Sequence, residues 1–209
     1  MIITEIVFFN TNKAKLVVEI PETEIFHTAQ APRVPRILFK LFPHMVTQRC
    51  HNGAGLSFRR EAEATEIPHL FEHLILEIQD QVRRHVGEPF TGETHLNWTI
   101  DPRGRYYVTI DYDDEIVALG AIRLAERVIN ALDSREIAQL DMPREVGRLR
   151  DLARLARSMG GKGSSKVPRR KPDQDFVDRF RETDMNEVSE EMKEDAEKMS
   201  VEENTLDLV

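Results

Sequence analysis

The sequence predicts an α+β domain, an antiparallel sheet with helices packed on one face, followed by a linker and a tail. Three observations carry this. Alternating apolar and polar residues mark two separate hairpins, apolar residues at helical spacing mark the segments that follow each hairpin, and the composition changes abruptly after Ser158. The chain has 209 residues, of which 40% are hydrophobic, enough for one core of ordinary domain size and a tail. The boundaries fall at 1–158 for the domain, 159–172 for a basic linker and 173–209 for an acidic tail.

The first hairpin is residues 1–9 and 13–20 around Asn10-Thr11-Asn12. Residues 32–48 hold several prolines with Ile37, Leu38, Leu41 and Phe42, which fits a short helix between turns. CHNGAGLSFRREAEAT reads as a loop. Thr65 is placed to cap the next helix, Pro68 suits its first turn and Gly87 can end it; Ile67, Leu70, Phe71, Leu74, Ile75 and Ile78 form its apolar face. THLNWTID and RYYVTIDY about Pro102-Arg103-Gly104 form the second hairpin, with Asn97 and Trp98 on opposite faces of a strand and Trp98 in the core. A helix follows from Asp113, with Ile116, Leu119, Ile122, Leu124, Val128, Ile129 and Leu132 on its apolar side. Pro143 opens another, with Val146, Leu149, Leu152 and Leu155.

Charge and composition exclude several classes of function. The net charge is −8. Residues 160–209 hold 9 Lys+Arg and 14 Asp+Glu, a balance of −5 that leaves only −3 for the body. General nucleic-acid binding is not implied. No apolar run approaches the roughly 20 residues of a membrane span, and the start carries no signal-peptide pattern. Cys50 is the only cysteine, which excludes an internal disulfide and, on this reading, a Cys-based metal cluster. A cytoplasmic protein is expected. GGKGSSKVPRRKP is a flexible basic linker. The acidic residues after it cannot build a core; they are expected to be a solvated tail or a segment that docks a partner.

The stretch IPHLFEHLILEIQ carries the chemistry. His69 and His73 lie at i and i+4, stacked on one helix face, so two imidazoles can share one metal ion. Zinc with three protein ligands keeps a position for water. Glu72, beside His73, can then act as the base that accepts the water's proton. The same residues also fit an amphipathic helix with both histidines at its polar edge and Glu72 in solvent.

H-x-x-E-H is the inverzincin order. His69, Glu72 and His73 resemble the motif of the pitrilysin-type metallopeptidases, which implies a pitrilysin-like half-domain, a Zn2+ cofactor and Glu72 as catalytic base. In that family a third ligand, a glutamate, stands roughly seventy residues later on a helix after a hairpin and another helix. Glu145, 72 residues after His73, matches. Glu136 lies off the spacing of the family's second glutamate, and its role is not carried over. Glu93 in TGETH, and behind it Glu115 and Glu126, are rival third ligands. EIPHLFEHLILEIQ, GETHLNWTID, RYYVTIDYDDEIVALGAIRLAERVINAL and REVGRLRDL also resemble the N-terminal domain of cyanophycin synthetases, over about residues 50–157. There this domain precedes an ATP-grasp and a Mur-ligase-like domain. This chain has no P-loop and no room for either, so a free-standing relative of the domain is expected. In some synthetases the domain carries a metallopeptidase-like site, which implies hydrolysis of peptide or isopeptide bonds.

Arg59 and Arg60 can hold a substrate carboxylate in a bidentate way, and His95 can contact substrate or stand near the metal. Asn97 can bond a substrate backbone laid along the hairpin edge. The expected partner is a peptide or polyamide substrate. Pitrilysin-type enzymes enclose a chamber with two or more domains, so a homodimer would close the open site of one. The competing function is a binding module for a polymer or protein, with a structural or vestigial metal.

Overall fold

The computed structural model describes residues 1–160 apart from 22–23, 25–26, 51–55, 84–87, 98, 133–136 and 138–139. Trp98, Glu136, Gly87, the Gly53-Ala54-Gly55 loop, residues 161–172 of the linker and the acidic tail lie outside the described residues. The fold is α+β. Strand β1 (Ile2–Phe8) and strand β2 (Lys13–Glu19) are followed by helix α1 (Arg33–Leu41) and a 3-10 segment (Pro43–Thr47). Helix α2 (Phe58–Glu61) and helix α3 (Ile67–Val82) precede strand β3 (Gly92–His95) and strand β4 (Arg105–Asp111). Helix α4 (Glu115–Ala131) and helix α5 (Met142–Gly160) complete it.

All strand pairs are antiparallel, in the order β1-β2-β4-β3. The register pairs Ala14 with Ile110, Leu16 with Val108 and Val18 with Tyr106. These six side chains are fully buried, whereas Lys15, Tyr107 and Thr109 between them are not. Alternation therefore gives the sheet one core face, and α3 packs on β3 and β4 while α4 reaches β1 and packs on α3. The β1–β2 turn uses Asn12 at φ 56°, a left-handed conformation that Asn tolerates.

Three expectations change. The second hairpin is offset: β3 ends at His95, and the Asn97 carbonyl accepts from the Ile100 and Asp101 amides. Asn97 thus stands in a turn, not on a strand, because local backbone bonding ends the ladder before Pro102. RRE continues from Phe58 as a helical turn rather than a loop. Thr65 does not cap α3; the cap position is Glu66 with no side-chain bond, and the Thr65 hydroxyl goes to His69 instead.

Both later helices carry less of their apolar set into the core than expected. Ile116, Leu119, Leu152 and Leu155 are 43–55% exposed. Asp114 caps α4 by accepting from the Ile116 and Val117 amides, the usual role of Asp there.

Gly104 closes the approach to β4 at φ 88°, and a Cβ there would stand 2.2 Å from the Ile20 carbonyl oxygen. That carbonyl belongs to the residue whose amide donates to the Gly104 oxygen. Gly104→Ala is expected to destabilise the domain by more than about 1 kcal/mol, read as a lower urea midpoint with unchanged slope. An unchanged midpoint would mean that the turn does not need the left-handed residue.

Candidate metal and acid–base site

Helix α3 is buried nearly all round. Ile67, Leu70, Phe71, Leu74, Ile75, Ile78 and Val82 fill the core, but Glu72, His73, Glu77 and Gln79 are also 4% exposed or less. A buried polar group needs a partner, and each of these has one from another element. His73 Nδ1 lies 2.7 Å from Gln48 Oε1, so the ring donates. Gln48 Nε2 donates to Glu77 Oε2 at 3.1 Å, and Gln81 Nε2 donates to Glu77 Oε1 at 2.7 Å. His69 Nδ1 meets the Thr65 hydroxyl at 2.8 Å. Phe58 of α2 stacks flat on His73, with centroids 3.6 Å apart.

The two histidines face one another with ring centroids 5.0 Å apart. Beside them is Cys50, its Sγ 3.3 Å from His69 Nε2. One ligand atom from each of Cys50, His69 and His73 lies within 4.8 Å of the others. Both Nδ1 atoms are already engaged, which fixes the ring orientations and leaves each Nε2 to a further partner, the usual arrangement around a metal-binding histidine. Two imidazoles and a thiol are a donor set suited to zinc. Burial holds both rings neutral: it lowers the His69 pKa, and it lowers that of His73 to about 3, with His69 adding to the effect. A neutral imidazole is the form that ligates.

Glu72 leaves the helix toward the sheet. Its Oε2 accepts from the Thr94 hydroxyl of β3 at 2.6 Å, and its carboxyl group lies against Gly92, where a Cβ would stand 2.6 Å from Oε1. Glycine at 92 is what leaves room for this carboxyl. At 3% exposure, Glu72 is not the solvated side chain of a plain amphipathic helix. Burial raises its pKa from 4.5 to about 7; the Thr94 bond opposes this and the charge of Glu93 adds to it. A carboxylate in that range is suited to accept and return a proton near neutral pH.

The other residues singled out in the sequence are dispersed. Glu145 accepts from Arg127 at 3.1 Å and from Arg148 at 2.7 Å, and it is not in the group with His69 and His73, where Cys50 stands. Glu93 pairs with His95 at 3.0 Å. Glu126 bonds the Ile3 amide and Arg123, and Glu115 is within 3.5 Å of the Tyr112 hydroxyl. Arg59 and Arg60 are exposed on α2, directly after Phe58. The exclusion of cysteine from metal binding is corrected here: one thiol cannot make a multi-cysteine cluster, but it can complete a mixed set. Cys50, Gln48, Phe58, Thr65 and Thr94 were not singled out as site residues. One signal was readable, since Thr65, His69, His73, Glu77 and Gln81 recur every four residues, a polar ladder on one face of a helix. The long-range partners had none.

The Glu72 shift makes a stability prediction. Its folded-state pKa is raised, so the charged form is disfavoured by folding: nothing is lost below pH 4.5, and stability falls as pH rises through about 7. In metal-free protein, Glu72→Gln removes this loss. The variant is expected to match wild type at pH 4 and to exceed it at pH 8 by roughly 1–3 kcal/mol, measured by chemical denaturation with chelator present. A difference independent of pH would mean that the carboxyl is not held neutral by burial.

A family model described as Cyanophycin synthase-like N-terminal domain matches residues 15–134. That span includes most of the first hairpin's second strand, Cys50, both histidines and Glu72, and it stops before α5. A cyanophycin synthetase of Trichormus variabilis is 30% identical over 141 residues, covering 66% of this chain and 14% of the relative. One from Synechocystis sp. is 31% identical over 119 residues, covering 55% of this chain and 13% of the relative. The chain therefore spans a small part, about one seventh, of the length of the curated relatives it matches. With more than half of its residues matched by that model, the chain belongs to the cyanophycin synthase-like N-terminal domain family.

Proposed function

We propose that this domain is a zinc-dependent hydrolase of peptide or isopeptide bonds, with His69 and His73 holding the metal and Glu72 as the base. The observation that carries the reading is the pairing on one helix of two neutral, oriented imidazoles with a buried carboxyl whose pKa is raised to about 7. When bound there, zinc would polarise the scissile carbonyl and make water more acidic. Glu72 takes the proton of the attacking water and returns it to the leaving amine. Thr94 holds the Glu72 carboxyl in place, and Phe58 covers one face of His73 so that water does not reach it from that side. The Glu72 charge is confined to a dry site, where it acts more strongly than in water. Arg59 and Arg60 are exposed on α2, where they would meet an acidic group on an approaching substrate, Arg60 by exchanging its contact with Glu63. The named relatives are cyanophycin synthetases, which makes cyanophycin the first substrate to try. A single thiol at Cys50 suits a reducing, cytoplasmic setting.

A second reading, a module that binds a polymer without cutting it, is favoured by one fact: the match covers only 14% of synthetases whose named activity is synthesis. Cyanophycin and an unstructured peptide, each incubated with zinc-loaded protein, separate the two. The hydrolase reading expects cleavage by wild type, at least about 100-fold slower cleavage by Glu72→Gln with metal content unchanged, and loss of both metal and cleavage in His69→Ala. Retention of cyanophycin by the loaded wild type without new chain ends would establish the binding module. Equal cleavage by wild type and Glu72→Gln would remove Glu72 from the chemistry.

A further inference from the structure

We propose that the outer face of the α4–α5 pair is a dimer interface, covered by the same face of a second copy of this chain. This goes beyond the hydrolase reading and does not depend on it. Among the described residues eight large apolar side chains are exposed, and four of them stand together here: Ile116 and Leu119 of α4, with Leu152 and Leu155 of α5. Two contacts fix how these helices lie. Arg157 Nε is 3.4 Å from Asp114 Oδ2, and Leu149 packs so close to Gly120 that a Cβ there would run into it. The helices are therefore antiparallel, and all four aliphatic residues fall between the two contacts. A third contact shows which side they face. Arg127 meets Glu145 across the seam at 3.1 Å. At roughly 100° per residue, Ile116 lies about 20° from Arg127 around α4, and Leu152 about 20° from Glu145 around α5. Ile116 and Leu152 thus line the outer side of one seam. A single exposed leucine needs no explanation, but a cluster of four along one seam marks an interaction surface.

Charge identifies what covers the face. Along its exposed side α4 presents acid first, then the aliphatic pair, then base: Asp113 and Glu115, Ile116 and Leu119, Arg123 and Arg127. Arg123 stands seven residues beyond Ile116, on the same line of the helix. A partner of one sign matches one end of this row and opposes the other. A second copy laid antiparallel matches both, and such complementarity fixes register. The contact is isologous, about a two-fold axis that crosses the helices. The aliphatic residues of the two copies meet at the axis and leave water together. Arg123 of each copy then comes opposite the acidic start of α4 in the other. Little is given up in the free chain, where Arg123 holds Glu126 in a surface pair three residues apart, since such pairs contribute little. Two helices of this length present a face about 25 Å by 20 Å, at the small end of specific interfaces, so the association is reversible.

The full chain tests this by sedimentation velocity between roughly 1 and 100 μM. The expected result is a reversible shift from the mass of one chain to that of two, weakened as salt rises. Leu152→Glu is expected to weaken self-association at least about 10-fold, with circular dichroism checking that the helices persist. Arg123→Glu and Glu115→Arg are each expected to weaken it, and the two substitutions together to restore it, a pattern that damage to the fold does not produce. A wild type that stays monomeric throughout would overturn the proposal and leave the face to a partner of another kind. A dimer indifferent to Leu152→Glu would place the contact elsewhere and overturn it too. Weakening by both single charge variants with no recovery in the double would overturn the antiparallel pairing of α4. None of these results bears on the hydrolase reading, which stands or falls on cleavage and metal content.

Discussion

The structure turns on one constraint: α3 is a core helix that buries the polar side chains of Glu72, His73, Glu77 and Gln79, and their hydrogen-bond partners have to come from the protein. An apolar helix in that position would need only packing. This one needs acceptors and donors at defined points, and they come from the whole domain. Thr65 comes from the helix entrance, Gln48 from the segment after the 3-10 turn, Thr94 from β3 and the Asp111 carbonyl from β4, the last accepting from Gln79. Removing one member leaves a buried group unpaired, at a cost on the order of 1–3 kcal/mol. The polar network thus ties the sheet and the first half of the chain to one helix.

The ladder also divides the helix into two chemical sides. The i, i+4 row of His69, His73 and Glu77 faces Gln48, Cys50 and Phe58. Glu72, one residue before His73, lies about 100° around the helix from it and turns to β3. The imidazoles and the carboxyl are therefore held by different partners, Gln48 and Thr65 on one side and Thr94 with Gly92 on the other. Each can be tuned without disturbing the other. Such separation lets one helix keep its imidazoles neutral and its carboxyl near the neutral range.

What the sequence made legible follows from range. The two hairpins, the helices and the positions of His69, Glu72 and His73 depend on periods of two and of three to four residues, and those survive in a single chain. The thiol beside His69 did not. Cys50 is 19 residues from His69 and is separated from α3 by a short helix, and no spacing rule reaches across that gap. Glu145 fitted a spacing known from a resembling family, but the local charge pattern on α4 and α5 gives it two arginines at close range. Asn97 failed for a different reason: a Pro-containing loop closed on itself by backbone bonds, which alternation of side chains does not reveal.

Glu72 and Gln79 show why packing alone does not account for the site. Both are buried on α3, and both bond a neighbour from the sheet. Gln79 is an amide, which satisfies a carbonyl without bringing a charge into the core. An amide at 72 would accept the Thr94 hydroxyl equally well. A carboxyl there instead carries the desolvation that lifts its pKa to about 7, and folding gains nothing from that choice. A glycine at 92 is spent making room for it. Two concessions of stability at one side chain, beside a pair of oriented imidazoles, are what the proposed hydrolase reading requires, since there a proton has to be taken up and given back at that point.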